Sequence, residues 1–261
     1  MEKAVFFDID GTLWDEKFQI PDSTKEAIIK LKENKIFTFL CSGRTKAFIT
    51  DPELLGLGFD GMVAGCGTYV EYEGKIISEK RLNEFEIKKM ITFFKKHKIP
   101  AIMEGSQNLY LDEEDFKDIS YPNKMKKLLG EKLLSITGNE PFWEVNKFSC
   151  GLPDKEHRDI LKTLSNEYEV LLHDMPVAEL LPKGYGKFFG IQEVCKYLNI
   201  EEKNTYAFGD SVNDLDMLTN AGHGIAMGSG SDFAKNAAEY ITNALHEDGI
   251  YNGLKHYGLI K

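Results

Sequence analysis

Ala4-Val5-Phe6-Phe7-Asp8-Ile9-Asp10-Gly11-Thr12 is an apolar run that breaks abruptly into two carboxylates and a glycine. Its four apolar residues are short, β-branched or aromatic. They predict a strand buried on both faces, the kind found inside parallel sheets with helices on either side. Residues 36–40 predict a second such strand and residues 62–64 a third. Between the first two, Pro21-Asp22 opens a helix in which Ser23 and Glu26 have capping-box spacing and Ala27, Ile28 and Leu31 form an apolar stripe. Late in the chain, residues 187–197 read as a helix, 205–208 as a strand and 213–219 as a helix. Residues 224–227 then read as a strand and 233–238 as a helix. This alternation predicts an α/β fold, a Rossmann-like doubly wound parallel sheet.

The middle of the chain has another pattern. Ile87, Met90, Ile91 and Phe94 recur at helical spacing, and Ile160, Leu161 and Leu164 line a second helix. Residues 101–104, 109–111, 145–150, 170–172 and 177–181 read as short strands, the last two split by the turn His173-Asp174-Met175-Pro176. We therefore expect an inserted α/β cap domain over residues 82–185, with residues 1–81 and 186–261 forming the core. Residues 113–141 are polar, rich in Lys and Glu, and give no clear element.

A chain of 261 residues can bury a large core without disulfides. Its net charge of −10 repels phosphate backbones, so nucleic acid is not an expected partner. A single phosphate would have to be met by local cations. Cys41, Cys66, Cys150 and Cys195 form no CxxC pair and read as reduced thiols. No uncharged apolar stretch approaches ~18 residues, so no transmembrane helix is expected. The first apolar run meets Asp8 too early for a signal peptide, and cytoplasmic residence is the expectation.

The chemical residues follow the predicted strands, where open parallel sheets bind ligands. Asp8 and Asp10 are close enough to share a divalent cation, and one of them could attack phosphorus. A turn with Asx caps is the bland alternative. Ser42-Gly43 precedes a helical segment, and a hydroxyl with exposed N–H groups at a helix start can form an anion site. Arg44 next to it could orient the loop by pairing with a carboxylate. Lys187 follows the turn Lys183-Gly184-Tyr185-Gly186 and could neutralise phosphoryl oxygens. Asp210 and Asp214 flank Asn213 and could complete the shell of a Mg²⁺ ion. The six histidines form no HxH or HxxxH pattern and read as core or surface residues. Trp143 reads as a packing residue, and so does Trp14, although Trp14 lies close enough to the first motif that it could also border the site.

The ordered series Asp8–Thr12, Ser42–Arg44, Lys187 and Gly209–Asp214 resembles the haloacid dehalogenase superfamily. The large insert, Gly224-Ile225-Ala226-Met227-Gly228 and Asp248-Gly249 resemble its Cof-type sugar-phosphatase branch. The resemblance implies that Asp8 is the nucleophile and Asp10 the general acid and then base. It implies that Asp8, the backbone carbonyl of Asp10 and Asp210 hold Mg²⁺, with Asp214 supporting. Phosphate would be bound by the backbone at Ile9 and by Ser42, Gly43, Lys187 and Asn213. The substrate would be a small phosphorylated metabolite, with the insert closing over the site and choosing among substrates. The chain departs from the family pattern at Phe188, where glycine is usual, at Gly65-Cys66-Gly67, where Asn-Gly is common, and at Ser229, where asparagine is common. A sugar phosphomutase could share the same intermediate. A phospho-acceptor signalling module also uses clustered Asp, Mg²⁺ and Lys, but resembles this chain less in length. A dinucleotide-binding domain would need a GxGxxG after the first strand, which is missing.

Overall fold

A computed structural model describes residues 2–152, 154–173 and 176–261. Asp174 and Met175 of the expected turn at 173–176 lie outside the described residues. The chain forms two compact units. One comprises the residues up to Gly43, Asp51–Ser78 and Gly186–Lys261; the other comprises Arg44–Thr50 and Glu79–Tyr185.

The first unit is built on an eight-stranded sheet. Its order is Tyr240–Ile241, His223–Ala226, Thr205–Gly209, Ala4–Phe7, Phe37–Cys41, Gly61–Ala64, Tyr69–Tyr72 and Lys75–Glu79. Neighbours are parallel from Tyr240–Ile241 through Gly61–Ala64, and Tyr69–Tyr72 then pairs antiparallel with Gly61–Ala64. Ala4, Val5, Phe6 and Phe7 have no exposed surface, which is why that run is apolar without alternation. Successive side chains point to opposite faces. Phe6, Phe39, Cys41 and Val63 pack against Ile191 and Val194 of the helix Lys187–Leu198 and Met217 of the helix Leu215–Asn220. On the other face Phe7 stacks on Phe208, ring centroids 5.3 Å apart. Gly253 of the helix Gly249–His256 lies there so close that an added Cβ would sit 2.6 Å from the Phe208 ring. Helices therefore cover both faces, as the doubly wound expectation requires.

The first helix, Asp22–Glu33, corrects one local expectation. Pro21 holds the cap position with φ −58°, so the helix begins before Ser23. Ser23 falls inside the first turn, its Oγ has no partner among the described residues, and no capping box forms.

The second unit contains a six-stranded sheet ordered Tyr168–Leu172, Val177–Pro182, Lys147–Gly151, Ala101–Glu104, Leu109–Tyr110 and Leu133–Leu134. One face packs Phe148 and Leu180 against Met90 and Phe94 of the helix Glu84–His97 and Leu161 of the helix Lys155–Lys162. On a second cluster, Met125 and Leu129 of the helix Ser120–Leu129 meet Ile102, Leu109 and Ala47. That helix accounts for part of the unassigned stretch 113–141. Ala47 belongs to Arg44–Thr50, which the sequence pattern placed with the core; its apolar contact with this cluster explains why the segment joins the second unit instead. The second unit also begins at Glu79 rather than 82. Among the described residues, no helix is long and apolar enough to cross a membrane.

Candidate active site

Asp8 is the first residue past Ala4–Phe7, and its backbone N–H donates to the Phe208 carbonyl at 2.9 Å, extending the sheet by one bond. Its carboxylate is thus fixed at the C-terminal edge of a central strand, 4% exposed. Lys187 opens the helix Lys187–Leu198 with no exposed surface. Its Nζ lies 2.5 Å from Asp8 Oδ1 and 2.5 Å from Asp214 Oδ1. Asp214 in turn accepts backbone N–H bonds from Asp210 and Ser211 at its Oδ2, both at 2.9 Å. These bonds close the turn after Thr205–Gly209 and hold two acids of that turn near one point. Thr12 Oγ1 donates to Asp210 Oδ1 at 3.1 Å.

Gly11 makes this convergence possible. Its φ of +83° is a conformation that suits glycine, and an added Cβ would lie 2.5 Å from Asp210 Oδ2.

Asp8, Asp210 and Asp214 offer carboxylate oxygens that lie within 4.8 Å of one another. Burial first, and the Asp214 charge second, push the Asp210 carboxyl up to about 7. The same two causes raise Asp8 well above the usual carboxylate range, although Lys187 pulls it back. Burial alone would lower the Lys187 ammonium, but Asp214 and Asp8 outweigh it and raise it well above its ordinary value. Three carboxylates against one ammonium leave unbalanced negative charge in a poorly hydrated place. An all-oxygen donor set of this kind fits a hard divalent cation.

The Asp10 carboxylate lies outside that cluster. It is exposed and accepts from the Trp14 indole Nε1 at 2.9 Å. Ile9 is buried, and its carbonyl accepts from the N–H groups of Leu13 and Trp14. Ser42 and Gly43 are both buried and follow Phe37–Cys41, the strand beside Ala4–Phe7. Ser42-Gly43 precedes a helical turn, as expected, but does not itself sit at the start of it. Ser42 instead continues the strand pairing, its N–H donating to Val63 and its carbonyl accepting from Cys66. The next helical turn is the three-residue Lys46–Phe48. The Arg44 guanidinium lies 4.7 Å from the Phe48 ring centroid. Asn213 sits in the turn Val212–Asp214, its Oδ1 accepting from Ser211 Oγ at 2.9 Å.

One contributor was not singled out from sequence. Asp216 Oδ2 accepts the Phe188 N–H at 2.9 Å and so caps the helix that carries Lys187. Its place two residues past Asp214 was the available signal. Trp14 is buried, as a packing residue should be, yet it also donates to Asp10.

The profile of the haloacid dehalogenase-like hydrolases matches residues 5–254. YkrA of Bacillus subtilis (strain 168), which carries the name of a phosphatase, is 28% identical over 260 residues, covering 99% of each chain. The 5-amino-6-(5-phospho-D-ribitylamino)uracil phosphatase YcsE of the same strain is 27% identical, covering 98% of this chain and 96% of its own. Among solved structures, the subclass IIB sugar phosphatase BT4131 superposes with a TM-score of 0.84 at 30% identity, covering 99% of this chain and all of that one. With its match running almost from end to end, and with phosphatases as its relatives, this chain belongs to the haloacid dehalogenase-like hydrolases and is an enzyme of their phosphatase group.

Proposed function

We infer that this enzyme is a Mg²⁺-dependent phosphatase that hydrolyses small phosphomonoesters, sugar phosphates or related metabolites, through an aspartyl-phosphate on Asp8. The observation that carries this reading is the meeting of Asp8, Lys187 and Asp214 at one buried point, with Asp210 alongside. The names of the relatives, a sugar phosphatase and a phosphoribitylamino-uracil phosphatase among them, support the substrate class.

Asp8, Asp210, Asp214 and the backbone carbonyl of Asp10 would hold the Mg²⁺. Bound there, it offsets the repulsion among the carboxylates and between them and an anionic substrate. Lys187 pulls Asp8 toward its ionised form against its burial, and a Mg²⁺ held beside it would complete the ionisation that a nucleophilic carboxylate requires. In the first step an Asp8 oxygen forms a bond to phosphorus. The bond from phosphorus to the ester oxygen breaks, and its electron pair leaves with that oxygen, which takes a proton from Asp10. In the second step water attacks phosphorus and gives a proton to Asp10, and Asp8 departs as a carboxylate. The Ile9 backbone, Ser42, Gly43, Lys187 and Asn213 bind the non-reacting phosphoryl oxygens. The unit containing Glu79–Tyr185 is assigned the choice of substrate.

The test is phosphate release from a panel of phosphorylated sugars, nucleotides and cofactors with Mg²⁺. Wild-type enzyme should release phosphate from some of them. Asp8→Asn should lose at least ~10³-fold while keeping its fold, because an amide is a poor nucleophile. Turnover by Asp8→Asn within tenfold of wild type would overturn the assignment.

A further inference from the structure

Trp14 lies four residues past Asp10, and the chain between them closes on itself. The Ile9 carbonyl accepts from Leu13 N at 3.0 Å and Trp14 N at 3.2 Å, and Gly11 N donates to the Trp14 carbonyl at 3.0 Å. Asp10 and Trp14 are thereby bridged like neighbours in a sheet. The indole is only 3% exposed and meets the Phe18 ring edge-on, centroids 5.0 Å apart at 81°. Asp15 ties down the following turn: its Oδ1 accepts the Lys17 and Gln19 N–H groups, and its Oδ2 lies 3.1 Å from His246 Nε2. The donor in the 2.9 Å bond from Nε1 to Asp10 Oδ1 is thus anchored and buried, while the carboxylate it holds is exposed.

An indole N–H only donates, so Trp14 cannot itself carry a proton between substrate and water. It can hold the group that does. An exposed carboxylate samples several rotamers, whereas proton transfer needs one alignment within hydrogen-bond reach. We propose that Trp14 is the positioning residue of Asp10: its indole N–H fixes the plane of the Asp10 carboxyl and so the direction of proton delivery to the leaving oxygen. This rests on the reading of Asp10 as the acid–base group. The packing role expected of Trp14 remains, but the N–H adds a function that any aromatic ring of the same size would lack.

The experiment compares Trp14→Phe with wild type on two esters, an alkyl phosphate that the wild type accepts and p-nitrophenyl phosphate. Nitrophenolate departs without protonation, so formation of the phosphoenzyme from that ester does not need an aligned acid. Trp14→Phe should lower kcat/KM for the alkyl ester about tenfold or more, in keeping with the loss of a hydrogen bond to a charged group. The nitrophenyl ester should lose no more than about threefold. Replacing Trp14 with 3-benzothienylalanine, which keeps the ring shape without the N–H, should reproduce the pattern and guards against misfolding of the Phe variant. Asp10→Asn should show the same preference for the nitrophenyl ester, and adding Trp14→Phe to it should cost little more. Equal losses on both esters, or no loss on either, would overturn the positioning role. If Asp10→Asn itself loses both esters alike, the acid–base reading of Asp10 has failed instead.

Discussion

A lysine without exposed surface gives up several kcal/mol of hydration, which only close opposite charges can offset. Lys187 has two, Asp8 and Asp214, each at 2.5 Å. Removing the ammonium while keeping the stem, as in Lys187→Met, leaves two buried carboxylates facing each other. Breaking a buried pair in this way costs roughly 3–5 kcal/mol. We expect the metal-free variant to unfold at distinctly lower denaturant concentration than wild type. Neutralising one acid as well, in Lys187→Met with Asp214→Asn, should recover part of the loss, because one of the two opposed charges is gone. Chemical denaturation of the three proteins without Mg²⁺ decides the matter. A single variant as stable as wild type, or a double variant no better than the single, would mean that the triad is not the electrostatic unit described.

The helix that delivers Lys187 depends on a contact between elements. Its cap residue, Gly186, has φ −172°, a backbone any residue can adopt, so the need for glycine is a matter of space. An added Cβ would lie 2.2 Å from Asp216 Oδ2, the atom that accepts the Phe188 N–H. Gly186→Ala should push Asp216 away, uncap the first turn and destabilise the fold by about 1–2 kcal/mol, the usual worth of a cap. Activity should fall with it, since Lys187 sits in that turn. In an Asp216→Ala background the same glycine change should be nearly silent, and thermal melts of the four proteins would reveal it; equal costs in both backgrounds would rule the contact out. Sequence reasoning reached the helix and Lys187 but not this cap, because Asp216 and Gly186 meet only through the fold. The same distinction runs through the chain. Ala4–Phe7 and Thr205–Gly209 were legible because burial on both faces leaves a run of apolar residues. Asp8, Asp210 and Asp214 were legible because each lies just past such a run. The strand-like pairing of Ser42 was not legible, because a Ser-Gly pair looks the same whether a helix or a bend follows at once. Arg44–Thr50 was given to the wrong unit because Ala47 finds its apolar partners, Ile102 and Met125, in distant sequence.

The whole chain carries a net charge of −10, and the first unit gathers three of its carboxylates within 4.8 Å. The consequence is a dependence of stability on pH that a cation should reverse. Asp210 is pushed up to about 7 and Asp8 is raised too, in both cases by burial first and by Asp214 second. In the unfolded chain an aspartate loses its proton near pH ~4. Between about pH 4 and about pH 7 the metal-free folded protein therefore binds more protons than the unfolded one. Stability from these groups is full below pH ~4 and is lost as the pH rises through the folded value. Asp210→Asn removes one of them, and an amide oxygen can still accept the Thr12 hydroxyl. Over that window metal-free wild type should lose Tm relative to Asp210→Asn, since part of the repulsion is absent from the variant. If Mg²⁺ binds the deprotonated cluster, as proposed, its stabilisation of wild type should grow with pH and be largest near neutrality. Asp210→Asn, lacking a charged ligand, should gain less. Differential scanning fluorimetry of both proteins from pH 4 to pH 8, with chelator and with excess Mg²⁺, measures all four curves. Parallel metal-free curves would show that Asp210 does not hold a proton at these pH values, and an equal gain from Mg²⁺ in both proteins would show that its carboxylate is not a ligand.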